Sequence, residues 1–204
     1  MSTEERCKQR ELKLGRLVDL SLRRPFPRAP FGYRESQKTH EKGNAMIDLL
    51  WRGIAIGIGA PVAMDIWAII LHRVFGQSRP NWAPVGRWFG HLGNGKVFHA
   101  DIATAMPYPN ELALGWIGHY AVGILYGVIF AALVGMPWFT APTFLPALVF
   151  GIATVAAGWF LLQPGLGLGW AASRTPNPWK VRAFNILAHI AFALGLWGTA
   201  LLIG

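Results

Sequence analysis

After a polar beginning, long apolar segments alternate with shorter polar ones along the chain. Residues 1–45 are polar, basic and interrupted by proline, and the character changes at Met46. Four apolar segments follow, and each reaches the length of about 20 residues that a helix needs to cross a bilayer. They cover residues 48–71, 112–135, 141–163 and 182–203. The pattern predicts an all-α, polytopic membrane protein in which residues 46–204 form a bundle of four transmembrane helices.

A soluble all-helical protein is the alternative, and the composition disfavours it. Hydrophobic residues make up 53% of the chain and charged residues only 14%, whereas soluble domains carry about 25% charged residues. With four apolar segments after Met46, too little polar sequence remains to cover a soluble fold.

The polar segment between the first two spans carries a helical pattern of its own. Its apolar residues recur at helical spacing: Val85, Trp88, Phe89 and Leu92. Arg87 and His91 lie on the opposite face of such a helix. This pattern predicts a short interfacial helix in the headgroup region, with tryptophan as the anchor and arginine extending towards water. A surface helix packed on the bundle fits the same pattern.

The distribution of charge predicts how the bundle is oriented. Residues 1–45 hold eleven Lys/Arg and six Asp/Glu, whereas residues 46–204 hold eight and four. Because the rest is apolar, the net charge of +9 is more typical of membrane topology than of nucleic-acid binding. The basic connections are 72–111 and 164–181, and the positive-inside rule predicts that both are cytoplasmic, with the C-terminus outside.

This orientation conflicts with the basic tail, residues 1–45, because eleven positive charges would have to cross the membrane. One resolution is that the tail is an over-extended start and that translation naturally begins at Met46. The alternative is that the tail is real and that it inverts or frustrates the topology. Its composition predicts disorder over most of its length.

Polar side chains interrupt the apolar segments on the faces that carry small residues. Asp65 continues a row of residues at intervals of four: Gly53, Gly57 and Pro61. His119 lies in a second such row: Gly115, Gly123, Gly127, Ala131 and Gly135. Since small residues at this spacing let helices approach closely, both polar groups are expected to face a neighbouring helix. The same glycine-rich faces are candidates for contacts in a homo-oligomer.

Depth within the spans, together with the four-residue spacing of Asn185 and His189, places five polar residues in one candidate site: Asp65, His119, Gln163, Asn185 and His189. Counted at 1.5 Å per residue, Asp65 and the two histidines lie about 9–12 Å inside the cytoplasmic boundary. Gln163 closes the third span on that side. A charged side chain within a span normally faces protein or water rather than lipid. We therefore expect these groups to point into the bundle.

Three hypotheses fit this site. In the first, the polar groups only hold the helices together, as in a membrane-assembly protein. In the second, a small non-enzymatic transporter or proton relay uses Asp65 and the histidines. Neither requires a cofactor. In the third, Asp65, His119 and His189 bind zinc or iron, or the two histidines bind a b-type haem in a membrane redox protein.

The third connection contains a candidate anion contact formed by Ser173, Arg174 and Thr175. Within GLGLGWAASRTPNPWK, this group could bind an anionic lipid headgroup at the cytoplasmic surface. A tight, flexible turn with one topological arginine is the alternative. The segment is not a Walker loop, because no Gly-Lys-Ser/Thr follows the glycines.

Several segments resemble a known family: GAPVAMDIWAIILHRVFG, NWAPVGRWFGH, ALGWIGHYAVGILYG and LLQPGLGLGWAASRTPNPW. They are similar to the DUF2938 family of bacterial integral membrane proteins of unknown function, over about residues 46–202. The resemblance implies a four-helix protein of the bacterial inner membrane whose partner is the lipid bilayer. It carries over no catalytic residue.

Overall fold

The computed structural model describes Glu5, Arg10 and residues 31–204, with side chains beyond residue 40 as well as those of Glu5 and Arg10. The described residues form helices and connections without a strand. The disorder expected of the basic tail falls mostly outside the described residues. Residues 31–45, which belong to that tail, instead begin the first helix. Arg, Glu, Gln and Lys have high helix propensity, and lengthening an existing helix requires no new nucleation.

In the described part of the chain we label the α-helices α1 to α5: Phe31–Phe75, Ala83–Gly93, Glu111–Thr140, Phe144–Gly165 and Pro178–Ile203. Short 3₁₀ turns lie at Ile102–Thr104 and Trp170–Ala172. Four helical segments of the described residues are long and apolar enough to cross a membrane: Glu41–Phe75, α3, α4 and α5. This confirms the predicted all-α, polytopic fold.

Two of the spans are interrupted at identifiable residues. In α3 the backbone leaves helical geometry at Gly135, whose φ of 68° favours glycine, and Pro137 follows. In α4 the segment Gly158–Leu162 is a π-helical turn, and the amide of Gln163 bonds to the carbonyl of Gly158. Pro164 explains this turn, because its ring would clash with the carbonyl four residues earlier in a regular α-helix.

The glycine rows of the first and second spans face each other within one chain. A Cβ atom on Gly57 would lie 2.7 Å from the carbonyl oxygen of Gly123. A Cβ atom on Gly127 would overlap the backbone of Gly53 and Gly57, and one on Gly123 would overlap the ring of Pro61. These two rows are therefore occupied by each other within one chain, and a homo-oligomer through glycine-rich faces stays a prediction.

The remaining helix contacts close the bundle. A Cβ atom on Gly195 of α5 would lie 2.6 Å from Ala60 Cα of α1. Gly151 of α4 packs on the backbone of α5, and the rings of Phe130 in α3 and Phe150 in α4 have centres 5.1 Å apart. Buried apolar residues fill the centre: Ile56, Ala60, Phe130, Ala147, Phe192, Leu196 and Ala200.

The two basic connections meet at one end of the bundle, which we call the basic end. The amide of His99 donates to Gly165 O at 3.1 Å, and the amide of Ile102 donates to Leu166 O at 3.1 Å. At the opposite end, Arg52 of α1 donates to the carbonyl of Ile203, near the end of α5, at 2.9 Å. Both connections therefore lie on the same side of any membrane that the bundle crosses.

Helix α2 packs on the start of α3 rather than standing apart from it. Trp88, the expected membrane anchor, is only 4% exposed and donates to Val97 O at 2.8 Å. Arg87 does not extend to water but binds Glu111 through two hydrogen bonds of 2.7 and 2.9 Å. The predictions that Trp88 anchors the helix in the headgroup region and that Arg87 extends towards water are therefore wrong. Trp88 is packed within the protein, and Arg87 is paired with Glu111.

Arg87 also fixes the connection that follows α2. Nε and Nη2 of Arg87 bind Glu111. The remaining nitrogen, Nη1, donates to the carbonyl oxygens of Ile102, Ala103 and Ala105 at 3.1–3.2 Å. The hydrogen bond with Glu111 raises the pKa of Arg87 above its ordinary value, so the guanidinium stays charged. One cation thereby joins α2, the Ile102–Thr104 turn and the start of α3.

Candidate intramembrane polar site

Asp65 lies between the first two spans and contacts two successive residues of α3. The hydroxyl of Tyr120 donates to Asp65 Oδ2 at 2.8 Å, and His119 Nε2 lies 3.4 Å from Asp65 Oδ1. The side chains of His119 and Asp65 are 8% and 23% exposed. The expectation that Asp65 faces a neighbouring helix therefore agrees with its position, and that neighbour carries an ionisable partner.

Aromatic rings cover the imidazole of His119. Trp82 stacks on it with ring centres 4.2 Å apart and planes 29° apart, and the rings of Trp116 and Tyr120 approach it at steeper angles. Trp82 immediately precedes α2, so the packing of this helix on α3 brings the indole over the site. The imidazole is thus held in one orientation by stacking and exposes only its edge to Asp65.

The small residues around the site explain why these groups can meet. Gly115, one turn before His119, packs against the backbone of Trp82, where a Cβ atom would overlap the carbonyl oxygen. Gly123, one turn after it, accepts the ring of Pro61, one turn before Asp65. The close approach of α1 and α3 at these positions brings a short aspartate side chain within reach of the histidine.

His189 belongs to a different helix pair. Its Nδ1 lies 2.9 Å from Thr154 Oγ1 and 3.1 Å from Gly151 O, both in α4. The carbonyl of Gly151 can only accept, so Nδ1 carries the proton of the neutral ring. The hydroxyl of Thr154 donates to the same carbonyl at 2.7 Å. This arrangement joins α4 to α5 near the middle of both helices.

Gln163 and Asn185 form a third group, beside the π-helical turn. Asn185 Oδ1 accepts hydrogen bonds from Gln163 Nε2 at 2.8 Å and from Trp159 Nε1 at 3.0 Å. Gln163 Oε1 is buried and has no hydrogen-bond partner among the described residues. The predicted cluster therefore divides into three groups: the Asp65–His119 pair lies between α1 and α3, whereas the Asn185 and His189 groups lie one helical turn apart between α4 and α5.

This division bears on the metal and haem hypothesis. His119 lies between α1 and α3, whereas His189 lies between α4 and α5, and no hydrogen bond, ion pair or ring contact joins them within the described residues. No three His, Cys, Asp or Glu side chains of the described chain come together as a metal site would require. Asp65, His119 and His189 do not form one ligand set here.

The candidate anion contact lies at the basic end. Thr175 donates through its hydroxyl to Ala172 O at 2.7 Å, as expected of a turn residue. Ser173 and Arg174 are exposed, and the guanidinium of Arg174 has no partner among the described residues. The geometry agrees with the tight turn and leaves one cation free, so the headgroup contact remains a prediction.

The pattern of the sequence missed several members of these groups. Tyr120 follows His119 directly and therefore projects about 100° away on an ideal helix, which conceals a shared contact. Thr154 and Trp159 are unremarkable residues of an apolar span. Trp82 lies in a connection. Its place immediately before α2 is the only sequence feature that points to it, and that feature predicts contact with the site only once α2 is known to pack on α3.

Comparison with known proteins gives a family match. Residues 54–203 match a family model described as "Protein of unknown function (DUF2938)". No curated protein and no solved structure matches the chain. The match covers well over half of the chain and includes α3, α4 and α5 together with Asp65 in α1.

Proposed function

The chain belongs to the DUF2938 family of proteins of unknown function, and we propose that it is a non-enzymatic membrane protein that relays protons. The relay site is formed by Asp65, His119 and Tyr120. We place the protein in a bacterial inner membrane, with the basic end and its connections 72–111 and 164–181 on the cytoplasmic side. Lys and Arg residues of loops are retained on that side.

The distance of 3.4 Å between His119 Nε2 and Asp65 Oδ1 carries this proposal. A carboxyl group and an imidazole at this separation need only a small adjustment to share a proton through a hydrogen bond. The pair has two forms, carboxylate with imidazolium and carboxylic acid with imidazole, which differ only in the position of that proton. Tyr120 can donate to the other carboxylate oxygen in both forms.

The position of the pair supports proton exchange with the basic end. Asp65 lies ten residues before the end of α1 at Phe75, which is about 15 Å along the helix axis. Its side chain is 23% exposed, so the carboxyl group is not sealed inside the bundle. Ionisable residues at such depth are rare in spans and commonly belong to ion or proton pathways.

Proton flux into vesicles tests the proposal. The full chain is reconstituted into liposomes that contain a pH-sensitive dye, and a potassium diffusion potential drives protons inward. We expect flux above that of empty vesicles for the natural protein, and loss of this flux in Asp65→Asn and His119→Ala. The matched control is Asp48→Asn, which removes a carboxylate of the same helix that pairs with Arg52.

Two results would contradict the relay. One is flux no greater than in empty vesicles for the natural protein. The other is equal flux in Asp65→Asn and the natural protein. If Asp65→Asn and His119→Ala left the flux unchanged but lowered the melting temperature, the hypothesis that these groups only hold the helices together would replace the relay. The metal or haem hypothesis has less support than either, because His119 and His189 lie in different helix pairs.

A further inference from the structure

Two histidines outside the relay site come together where the chain reverses after α2. Gly95, with φ of 80°, lies in the reversal, and the amide of Lys96 donates to His91 O at 3.0 Å. Val97 is held by Trp88, which leads the chain back to His99. The rings of His91 and His99 have centres 5.0 Å apart and planes 82° apart.

Each of these rings bonds to a backbone carbonyl through one nitrogen. His99 Nδ1 lies 3.0 Å from Gly165 O, and His91 Nε2 lies 2.9 Å from Met106 O. Because a carbonyl only accepts, the neutral rings carry their protons on these nitrogens and lone pairs on the others. His99 is 7% exposed, and its Nε2 is buried without a hydrogen-bond partner among the described residues.

We propose that His91 and His99 bind a divalent transition-metal ion, with Zn²⁺ as the best fit. Histidine ligands of metals characteristically donate their second ring nitrogen to a carbonyl or carboxylate, which fixes the tautomer and the ring. With Zn–N bonds of about 2.0–2.1 Å, two imidazoles on one tetrahedral ion have ring centres about 5 Å apart. The lone pair of His99 Nε2, otherwise unused, becomes a metal ligand.

The chemistry of the pair sets the kind of site. No third His, Cys, Asp or Glu side chain joins the two histidines in the described part of the chain, so the protein supplies two ligands. Structural zinc sites use four protein ligands, whereas this ion keeps open positions for water or a small anion. The site is therefore an exchangeable one at the basic end. It is independent of the proposed proton relay.

Metal titration of the full chain tests this site. Protein without a histidine tag is purified in detergent, freed of metal by dialysis against a chelator, and titrated with Zn²⁺ by calorimetry and with Co²⁺ by absorption. We expect one ion per chain and the visible bands of tetrahedral Co²⁺. His91→Gln and His99→Gln are each expected to lower the affinity at least about a hundredfold, since loss of supporting residues alone costs 10–100-fold.

The controls separate this site from other histidines. His72→Ala removes an exposed histidine whose Nδ1 also bonds to a backbone carbonyl, that of Gln77, but which lacks a partner ring. His119→Ala removes the histidine of the relay site. Both variants should bind Zn²⁺ as the natural protein does, and His119→Ala should still lose proton flux, so the two proposals can fail separately.

The outcomes that overturn the site are specific. Absence of Co²⁺ bands and of Zn²⁺ binding in the natural protein would show a packed ring pair only. Unchanged affinity in His91→Gln would do the same. Melting temperatures are measured for each variant. If His99→Gln does not fold, His91→Gln decides the question, because this substitution removes only an exposed hydrogen bond, that of His91 with Met106 O.

Discussion

Asp65 depends for its chemistry on the two α3 residues that reach it. Tyr120 holds one carboxylate oxygen through a hydrogen bond of 2.8 Å, while His119 faces the other. A hydroxyl donor stabilises the carboxylate and positions it, whereas only the imidazole can take up its proton. Substitutions at these two positions should therefore separate stability from proton transfer.

Tyr120→Phe should destabilise the bundle while leaving some proton flux. It removes the hydroxyl that donates to Asp65 and keeps the ring, so we expect a loss of about 1 kcal/mol, the usual size of an interhelical hydrogen bond. Unfolding in mixed micelles measures this change. Tyr126→Phe is the matched control, because the hydroxyl of Tyr126 has no hydrogen-bond partner among the described residues. Equal loss in both variants would contradict a role for the Tyr120–Asp65 bond.

Helices α1 and α3 are held at short distance by glycine, and this distance sets the geometry of the polar site. Gly57→Ala should separate them, because its Cβ atom would lie 2.7 Å from the backbone oxygen of Gly123, which cannot rotate away. We expect a destabilisation of about 1–3 kcal/mol, typical of overpacking. Proton flux should fall with it, as Asp65 moves away from His119.

Gly198→Ala is the control for this change. Gly198 lies in α5, and a Cβ atom there would meet nothing within 4 Å. Alanine has the higher helix propensity, so this variant should be as stable as the natural protein or slightly more so. If Gly57→Ala unfolds at the same denaturant concentration as Gly198→Ala, the close packing of α1 on α3 is not what holds the site.

The connection after α2 depends on one arginine. Arg87→Lys keeps the charge but cannot bind both oxygens of Glu111 and also reach the carbonyls of the Ile102–Thr104 turn. Faster hydrogen exchange is therefore expected across residues 97–110, measured by mass spectrometry in detergent. Arg79→Lys, at an exposed arginine with no partner among the described residues, should exchange as the natural protein does. Equal exchange in both variants would contradict this anchoring role.

The spans and the direction of Asp65 could be predicted from the sequence, because length, apolarity and four-residue spacing are properties of single helices. Which helix each face meets is a property of the bundle. His119 and His189 both lie on small-residue faces, yet the first meets α1 and the second meets α4. The His91–His99 pair depends on a chain reversal and on carbonyls far along the chain, which spacing cannot reveal.

At the scale of the whole molecule, the part of the chain after Glu111 is electrically asymmetric. After Glu111 the sequence contains no Asp or Glu, and its charged residues are Arg174, Lys180 and Arg182. All of them belong to the basic end or to the first turns of α5. The positive-inside rule then predicts a cytoplasmic basic end and an external C-terminus. Reporter fusions active only in the cytoplasm should work after Arg174 and fail after Gly204, and the reverse pattern would contradict the orientation.

The same asymmetry predicts a preference for anionic lipid. Arg174 is exposed without a partner among the described residues, and a basic residue near an anionic surface contributes about 1 kcal/mol. Arg174→Gln should therefore weaken the binding of phosphatidylglycerol about fivefold, measured by native mass spectrometry, without changing that of a zwitterionic lipid. If the variant and the natural protein retained both lipids equally, Arg174 would not bind an anionic headgroup and would only be part of the turn.

The stacking of Trp82 on His119 gives the relay site a built-in optical reporter. Protonation turns the imidazole into a cation lying 4.2 Å from the indole, which strengthens the attraction between them and alters the emission of the excited indole. Of the other nine tryptophans, Trp116 also contacts the imidazole, so the signal of Trp82 is taken as the difference between the natural protein and Trp82→Phe. Proton uptake by His119 should thus be visible as a change in tryptophan fluorescence, without a label and without a substrate.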